Sequence, residues 1–120
     1  MFLIKIKAEI QPTEDKEKVE SAIKNIFPDI ELQEENGFII GVSEDKSCLR
    51  RFKDLILVQR ISKTAEDYLL KCIDGNKLIF NLNRLAAFSN TVNFSESAKP
   101  PIVVEIISDN IIECIRCSPV

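Results

Sequence analysis

Two neighbouring stretches hold the residues whose types and spacing could do chemistry. The segment 75–94 reads GNKLIFNLNRLAAFSNTVNF and sets Asn81, Asn83 and Arg84 ahead of a small apolar patch, Leu85-Ala86-Ala87-Phe88. Asparagine is depleted in strands, so two of them flanking Leu82 mark either an exposed sheet face or a polar ligand surface. The Arg84 guanidinium can clamp a phosphate with two N–H bonds, or pair with an acid such as Glu66 or Asp67. Upstream, KSCLRRFKDLILVQRISK (46–63) carries six basic residues, Lys46, Arg50, Arg51, Lys53, Arg60 and Lys63, against one acid, Asp54, a net of +5. Such a stripe can neutralise phosphates, although a charge run is most often a solvated helix face.

Reaction chemistry is sparse. The chain has no histidine, which removes the usual general base, the commonest metal ligand and every Ser-His or Cys-His nucleophile. Neither a GxGxxG nor a GxxxxGK[ST] phosphate loop is present. Carboxylates abound, but no pattern makes a pair converge. Cys114-Ile115-Arg116-Cys117 is a lone CxxC. A zinc site needs two more ligands, and Cys48 and Cys72 stand apart with no paired spacing. A redox pair usually opens a helix after a strand, which is not the setting here. The remaining reading is a short helix with Ile111, Cys114 and Ile115 against the core, cysteine acting as a small hydrophobe. No catalytic residue, metal or cofactor is expected. Base stacking of the RNP type is not expected either: Tyr68 is the sole tyrosine, tryptophan is absent and most phenylalanines fall on core faces.

The elements that must position these residues follow from periodicity. Phe2 to Ile10 alternates as a strand, with Phe2, Ile4, Ile6, Ala8 and Ile10 on one face. Thr13 or Asp15 caps a helix whose stripe is Val19, Ala22, Ile23, Ile26 and Phe27, ended by Pro28. Strands at Ile30–Glu35 and Phe38–Ser43 flank Asn36-Gly37, a strong hairpin signal. Helices are expected over about Ser47–Leu57 and about Gln59–Ile73, the second stopped by Asp74-Gly75-Asn76. A strand over Lys77–Asn83, a helical turn to Ser89 and a short strand over Thr91–Phe94 come next. A polar loop over Ser95–Pro101, a buried strand over Ile102–Ile107 and a short helix over Asn110–Cys117 complete the order. The pattern predicts an α+β fold, a mainly antiparallel sheet with helices packed on one face, as a single domain over residues 1–120.

Composition sets the background. Apolar residues are 45% and charged residues 29%, ordinary for a globular chain able to build a core without staples. The net charge of −3 gives no global pull toward nucleic acid or anionic membrane. The mean hides an asymmetry: Glu9 to Asp45 holds 11 acids against 3 bases, a net of −8, directly before the +5 stripe. The opening MFLIKIKAEI is interrupted by Lys5 and Lys7, the pattern of a strand rather than a signal peptide. No segment approaches the roughly 18–20 apolar residues of a membrane span. A cytoplasmic location is expected, with Cys48, Cys72, Cys114 and Cys117 as reduced thiols.

A set of residues spread along the chain carries a family likeness. Ile6-Lys7-Ala8-Glu9-Ile10, Pro12-Thr13-Glu14-Asp15, Lys18-Val19 and Ile26-Phe27-Pro28-Asp29 begin it. Leu49-Arg50, Gln59-Arg60-Ile61, Gly75-Asn76, Phe80, Leu82-Asn83, Ala86-Ala87-Phe88, Val92 and Phe94 continue it, and Val104-Glu105-Ile106 and Pro119 end it. In order and spacing the chain resembles archaeal uncharacterised protein family 0201, whose members have a predicted RNA-binding domain. The resemblance implies the fold of a 5S-rRNA-binding large-subunit ribosomal protein, and fold alone does not carry function. It marks Arg50, Gln59, Arg60, Asn76, Asn83 and Arg84 as polar signature positions. Many members carry Gly-Lys after the Ala-Ala-Phe element, where this chain has Asn90-Thr91 and loses a cation. A typical Arg-Ile-Leu-Asp is here Arg60-Ile61-Ser62-Lys63, which removes an acid and adds a positive charge.

Two expectations result. The first is a non-catalytic RNA-binding module that tracks the backbone with Arg50, Arg51, Lys53, Arg60 and Lys63, while Asn76, Asn83 and Arg84 offer hydrogen bonds. The alternative is a protein-interaction module, a homodimer with no nucleic-acid role, joined by its acidic and basic surfaces around Leu85 and Phe88. An enzyme using carboxylates is a third class, with no residue set to carry it.

Overall fold

The computed structural model describes residues 1–95 and 100–116. Strand β1 (Phe2–Glu9) buries Phe2, Ile4, Ile6 and Ala8 on one face, as its alternation requires. It pairs antiparallel with β3 (Phe38–Ser43) on one side and β6 (Ile102–Ser108) on the other. Strand β2 (Leu32–Glu35) joins β3, and β5 (Lys77–Leu82) joins β6 and the two-residue β4 (Ile73–Asp74). The six-stranded sheet therefore runs β2-β3-β1-β6-β5-β4 with every neighbour antiparallel. The hairpin between β2 and β3 turns at Asn36 (φ 51°) and Gly37 (φ 83°), the left-handed pair that this dipeptide favours. Gly41 has a different task. A Cβ there would lie 2.5 Å from Ile30 Cγ2 and 2.8 Å from Leu32 Cδ2, so the chain entering β2 crosses β3 where only hydrogen fits.

One face of the sheet is covered by helices. In α1 (Lys16–Ile26) Asp15 caps the start, its carboxylate accepting from the Glu17 N–H at 3.1 Å. Val19, Ala22, Ile23, Ile26 and the following Phe27 are buried, and each larger apolar side chain contributes roughly 1.5–3 kcal/mol. A 3-10 turn (Lys46–Leu49) leads into α2 (Arg50–Gln59), which buries Phe52, Leu55 and Ile56. Phe52 stacks between Phe27 and Phe80, with centroids 5.7 and 5.6 Å away, and so ties α1, α2 and β5 together. Helices α3 (Ser62–Lys71), α4 (Arg84–Phe88) and α5 (Ile111–Ile115) complete the layer. The α+β arrangement expected from the sequence is the one found.

Boundaries differ from expectation where a tertiary partner decides. Helix α2 runs on through Gln59 and stops because Arg60 is left-handed (φ 60°), an uncommon conformation for a residue with a side chain. Helix α3 ends at Lys71 rather than at Ile73. Ile73 pairs with Leu78 and Asp74 with Lys77, so Gly75-Asn76 is a hairpin turn and not a helix stop. The segment 91–94 is not a strand. Asn93 gives its carbonyl to the Asn83 N–H at 2.8 Å, and Val92 is held by a side chain instead of a ladder. Cys117, Pro119 and most of the Ser95–Pro101 loop lie outside the described residues. Among the described residues no helix is long and apolar enough to cross a membrane.

Candidate nucleic-acid interface

The basic stripe does not fold into one surface. Arg50 and Lys53 lie three residues apart on α2 and so share a helix face. With Lys46 and Ser47 of the 3-10 turn and Arg116 at the end of α5, they line an open groove. Leu49 and Leu57 also line it, and its only acid among the described residues is Asp54. Four cations against one carboxylate give the groove a local charge of +3 in a chain of net −3. None of Lys46, Arg50, Lys53 or Arg116 makes an ion pair among the described residues. The Lys53 ammonium donates to the Glu113 carbonyl at 3.3 Å, which fastens α2 to the last turn of α5 and brings Arg116 alongside.

Asp45 borders the groove without closing it. Its carboxylate accepts from the Ser47 N–H at 2.9 Å and caps the 3-10 turn. Hydrogen bonds from Ser47, and to a smaller extent the Arg50 charge, hold its carboxyl below the usual value. The acid that separates the −8 and +5 segments in sequence is thus used to start the basic turn.

The remaining expected cations lie elsewhere. Arg51 is exposed but does not line the groove, being a helical step of about 100° from Arg50. Arg60 caps the far end of α2, about 15 Å along the axis from Arg50, and Lys63 sits in the first turn of α3. Asn76 is exposed in the β4–β5 turn, where its carbonyl accepts from the Ser108 N–H at 3.0 Å.

Asn83 and Arg84 are not surface groups. Asn83 is buried and caps α4, its side-chain oxygen accepting from the Ala86 N–H at 3.0 Å. Arg84 is buried and donates from Nη1 to Glu14 Oε1 at 2.6 Å, so its acid partner is neither Glu66 nor Asp67. Asn25 of α1 donates to the carbonyls of Ala87 and Phe88 at 3.0 and 3.1 Å and satisfies the open end of the short helix. The pair offered by the sequence for hydrogen bonds to a nucleic acid instead builds and anchors α4.

Sequence reasoning missed Arg116, Glu14 and Lys18. Arg116 was read only as the interior of a CxxC, and nothing local indicates that it meets Lys46 and Arg50. Cys48 and Cys114 are buried as small hydrophobes, and Cys72 is half-buried. Burial pushes the Cys48 thiol up to about 11. Among the described residues no group of cysteines and carboxylates is arranged to hold a metal. Most aromatic residues are turned inward, with Tyr68 stacked on Phe94 at 4.6 Å, and none lines the groove.

Known proteins agree with the fold. A family profile described as RNA binding matches residues 3–108. A UPF0201 protein of Methanothermobacter thermautotrophicus is 38% identical over 114 residues, covering 92% of this chain and 86% of its own. A UPF0201 protein of Thermococcus onnurineus is 35% identical over 108 residues, covering 86% and 80%. The crystal structure of a UPF0201 protein from Methanococcus jannaschii is similar with a TM-score of 0.83 at 35% identity, covering 94% of this chain and 95% of that one. A second UPF0201 crystal structure gives 0.80 at 39% identity, covering 91% and 84%.

Proposed function

The chain belongs to the UPF0201 family, and we propose that it is a non-catalytic, cytoplasmic RNA-binding module whose contact surface is the groove of Lys46, Arg50, Lys53 and Arg116. The observation that carries this reading is the convergence of those cations, from two distant parts of an acidic chain, on one open surface. A phosphate backbone laid there would release counterions from each contact, the main source of affinity for a protein without base-reading side chains. Arg51, Arg60 and Lys63 are exposed and supply outlying contacts. The family profile's description as RNA binding supports the same reading. No kinship with a ribosomal protein is needed for it.

The test is titration of labelled small RNA at two salt concentrations, with an unrelated polyanion as competitor. Saturable binding that survives the competitor and weakens with salt is expected. Absence of binding at low salt contradicts the proposal.

A second reading rests on the sheet face opposite the helices. There Leu3, Phe38, Ile40 and Ile107 are half-buried, and Val42 and Ile79 are 52% and 45% exposed. Lys5, Lys7, Lys77 and Glu105 are interleaved with them, Lys77 and Glu105 pairing at 3.5 Å. An apolar face ringed by both signs of charge suits a second copy of the chain. Sedimentation at low salt and rising concentration tests it, and a monomer throughout rules it out.

A further inference from the structure

Arg84 is the one buried charged residue among those described. Its Nη1 is committed to Glu14, but Nε and Nη2 are buried and have no hydrogen-bond partner among the described residues. Those two nitrogens form one edge of the guanidinium and present parallel N–H bonds, the fork that matches both oxygens of a carboxylate. Native proteins seldom leave buried donors of this strength unpaired without a use.

Between α1 and α4 lies a cavity of about 200 Å³. Arg84, Glu14 and Lys18 line its polar side, and Val19, Leu85 and Phe88 its apolar side. A cavity of about 150 Å³ with aliphatic and aromatic walls holds benzene, so this one admits a ring with a small substituent. Leu85 and Phe88 are 71% and 48% exposed, free to turn aside for entry. The local charge selects the ligand's charge. Arg84 and Lys18 are cations, and Glu14 is ionised at neutral pH because its carboxyl is held below the usual value. The sum is +1, which a monoanion cancels and a dianion overshoots beside Glu14.

We propose that this cavity binds a small carboxylate with an apolar body about the size of a phenyl ring. Binding uncovers the Nε–Nη2 edge of Arg84, which takes the two carboxylate oxygens, and the body packs against Val19, Leu85 and Phe88. Lys18 adds attraction. The site is separate from the basic groove and does not depend on RNA binding.

Benzoate is the probe, followed through the backbone amide resonances of the full chain. Saturable shifts at Ala22, Leu85 and Phe88 are expected. Benzamide, of the same shape without charge, binds at least about tenfold more weakly because the fork no longer meets a charged acceptor. Phenyl phosphate binds no better than benzoate. Lys18→Glu, an exposed change that leaves the core intact, weakens benzoate several-fold. Arg84→Lys, where its spectrum shows a folded protein, keeps the charge and loses the saturable shifts. The proposal is overturned if benzoate gives no saturable shift at those amides, if benzamide binds equally, or if phenyl phosphate binds more tightly. Unchanged benzoate binding by Lys18→Glu or by folded Arg84→Lys overturns it too.

Discussion

Glu14 and Arg84, 70 residues apart in sequence, meet at 2.6 Å and close the loop after β1 onto α4. Glu14 also accepts from the Gln11 N–H at 2.9 Å, so one carboxylate holds a loop and a guanidinium together. Burial raises its pKa, but the hydrogen bond from Gln11, the hydrogen bond from Arg84 and the Arg84 charge outweigh that and lower it. A carboxyl whose folded pKa is depressed adds stability that is present above its unfolded value of about 4.5 and is lost as pH falls through the folded value. Glu14→Gln is expected to cost about 1–3 kcal/mol at neutral pH, because Arg84 is left buried without its counter-charge. The gap to wild type narrows in acid. Urea midpoints of both proteins at neutral and acid pH measure it, and a pH-independent gap contradicts the role given to the ionised carboxylate.

Gln59 and Val92 clasp each other. Gln59 Nε2 donates to the Val92 carbonyl at 2.9 Å, and the Val92 N–H donates to Gln59 Oε1 at 2.7 Å. The side chain replaces a strand neighbour for a segment that seats Val92 and Phe94 in the core. Gln59→Ala leaves both Val92 groups unpaired and is expected to cost about 1–3 kcal/mol. Gln59→Glu keeps the acceptor and loses the donor, so a smaller loss is expected. Equilibrium unfolding of the two variants gives the order, and a neutral Gln59→Ala would remove the clasp from the account.

Cys48 is protonated at moderately alkaline pH, since burial raises its thiol to about 11. The thiolate is the reactive species, so Cys48 should resist iodoacetamide in the folded protein at about pH 8 and react fully in denaturant. Of Cys48, Cys72 and Cys114, the half-buried Cys72 should be labelled first. Peptide mapping by mass reads the order of labelling. Rapid labelling of native Cys48 would mean that this part of the core opens readily.

The legible parts of this chain are those whose signal is local. The alternation of β1, the stripe of α1 and the Asn36-Gly37 turn each satisfy one short-range rule, and each is found in place. The boundary between α2 and α3 was not legible, because Arg60 takes a left-handed conformation with no glycine to mark it. Asp74-Gly75-Asn76 suits a helix stop and a hairpin turn equally, and pairing with β5 decides. At the site, Arg50 and Lys53 were visible as a helix face, whereas Arg116 joins them only through the contact between α2 and α5. Asn83 followed by a helical turn is a capping pattern, but the preceding strand alternation made it look like a sheet-surface asparagine. Which acid Arg84 meets depends on how α1 is laid against α4, and no spacing rule contains that.

The most direct test of the groove compares two double variants that each remove two positive charges. Arg50→Ala with Lys53→Ala strips the groove, and Arg60→Ala with Lys63→Ala strips the other end of the stripe. RNA affinity is measured for both across a salt series. The groove variant should bind more weakly and lose roughly 1.4 from the log–log salt slope, about 0.7 for each single-strand phosphate contact removed. The other variant should change the slope far less. Equal losses, or an unchanged slope in the groove variant, would contradict the groove as the RNA surface.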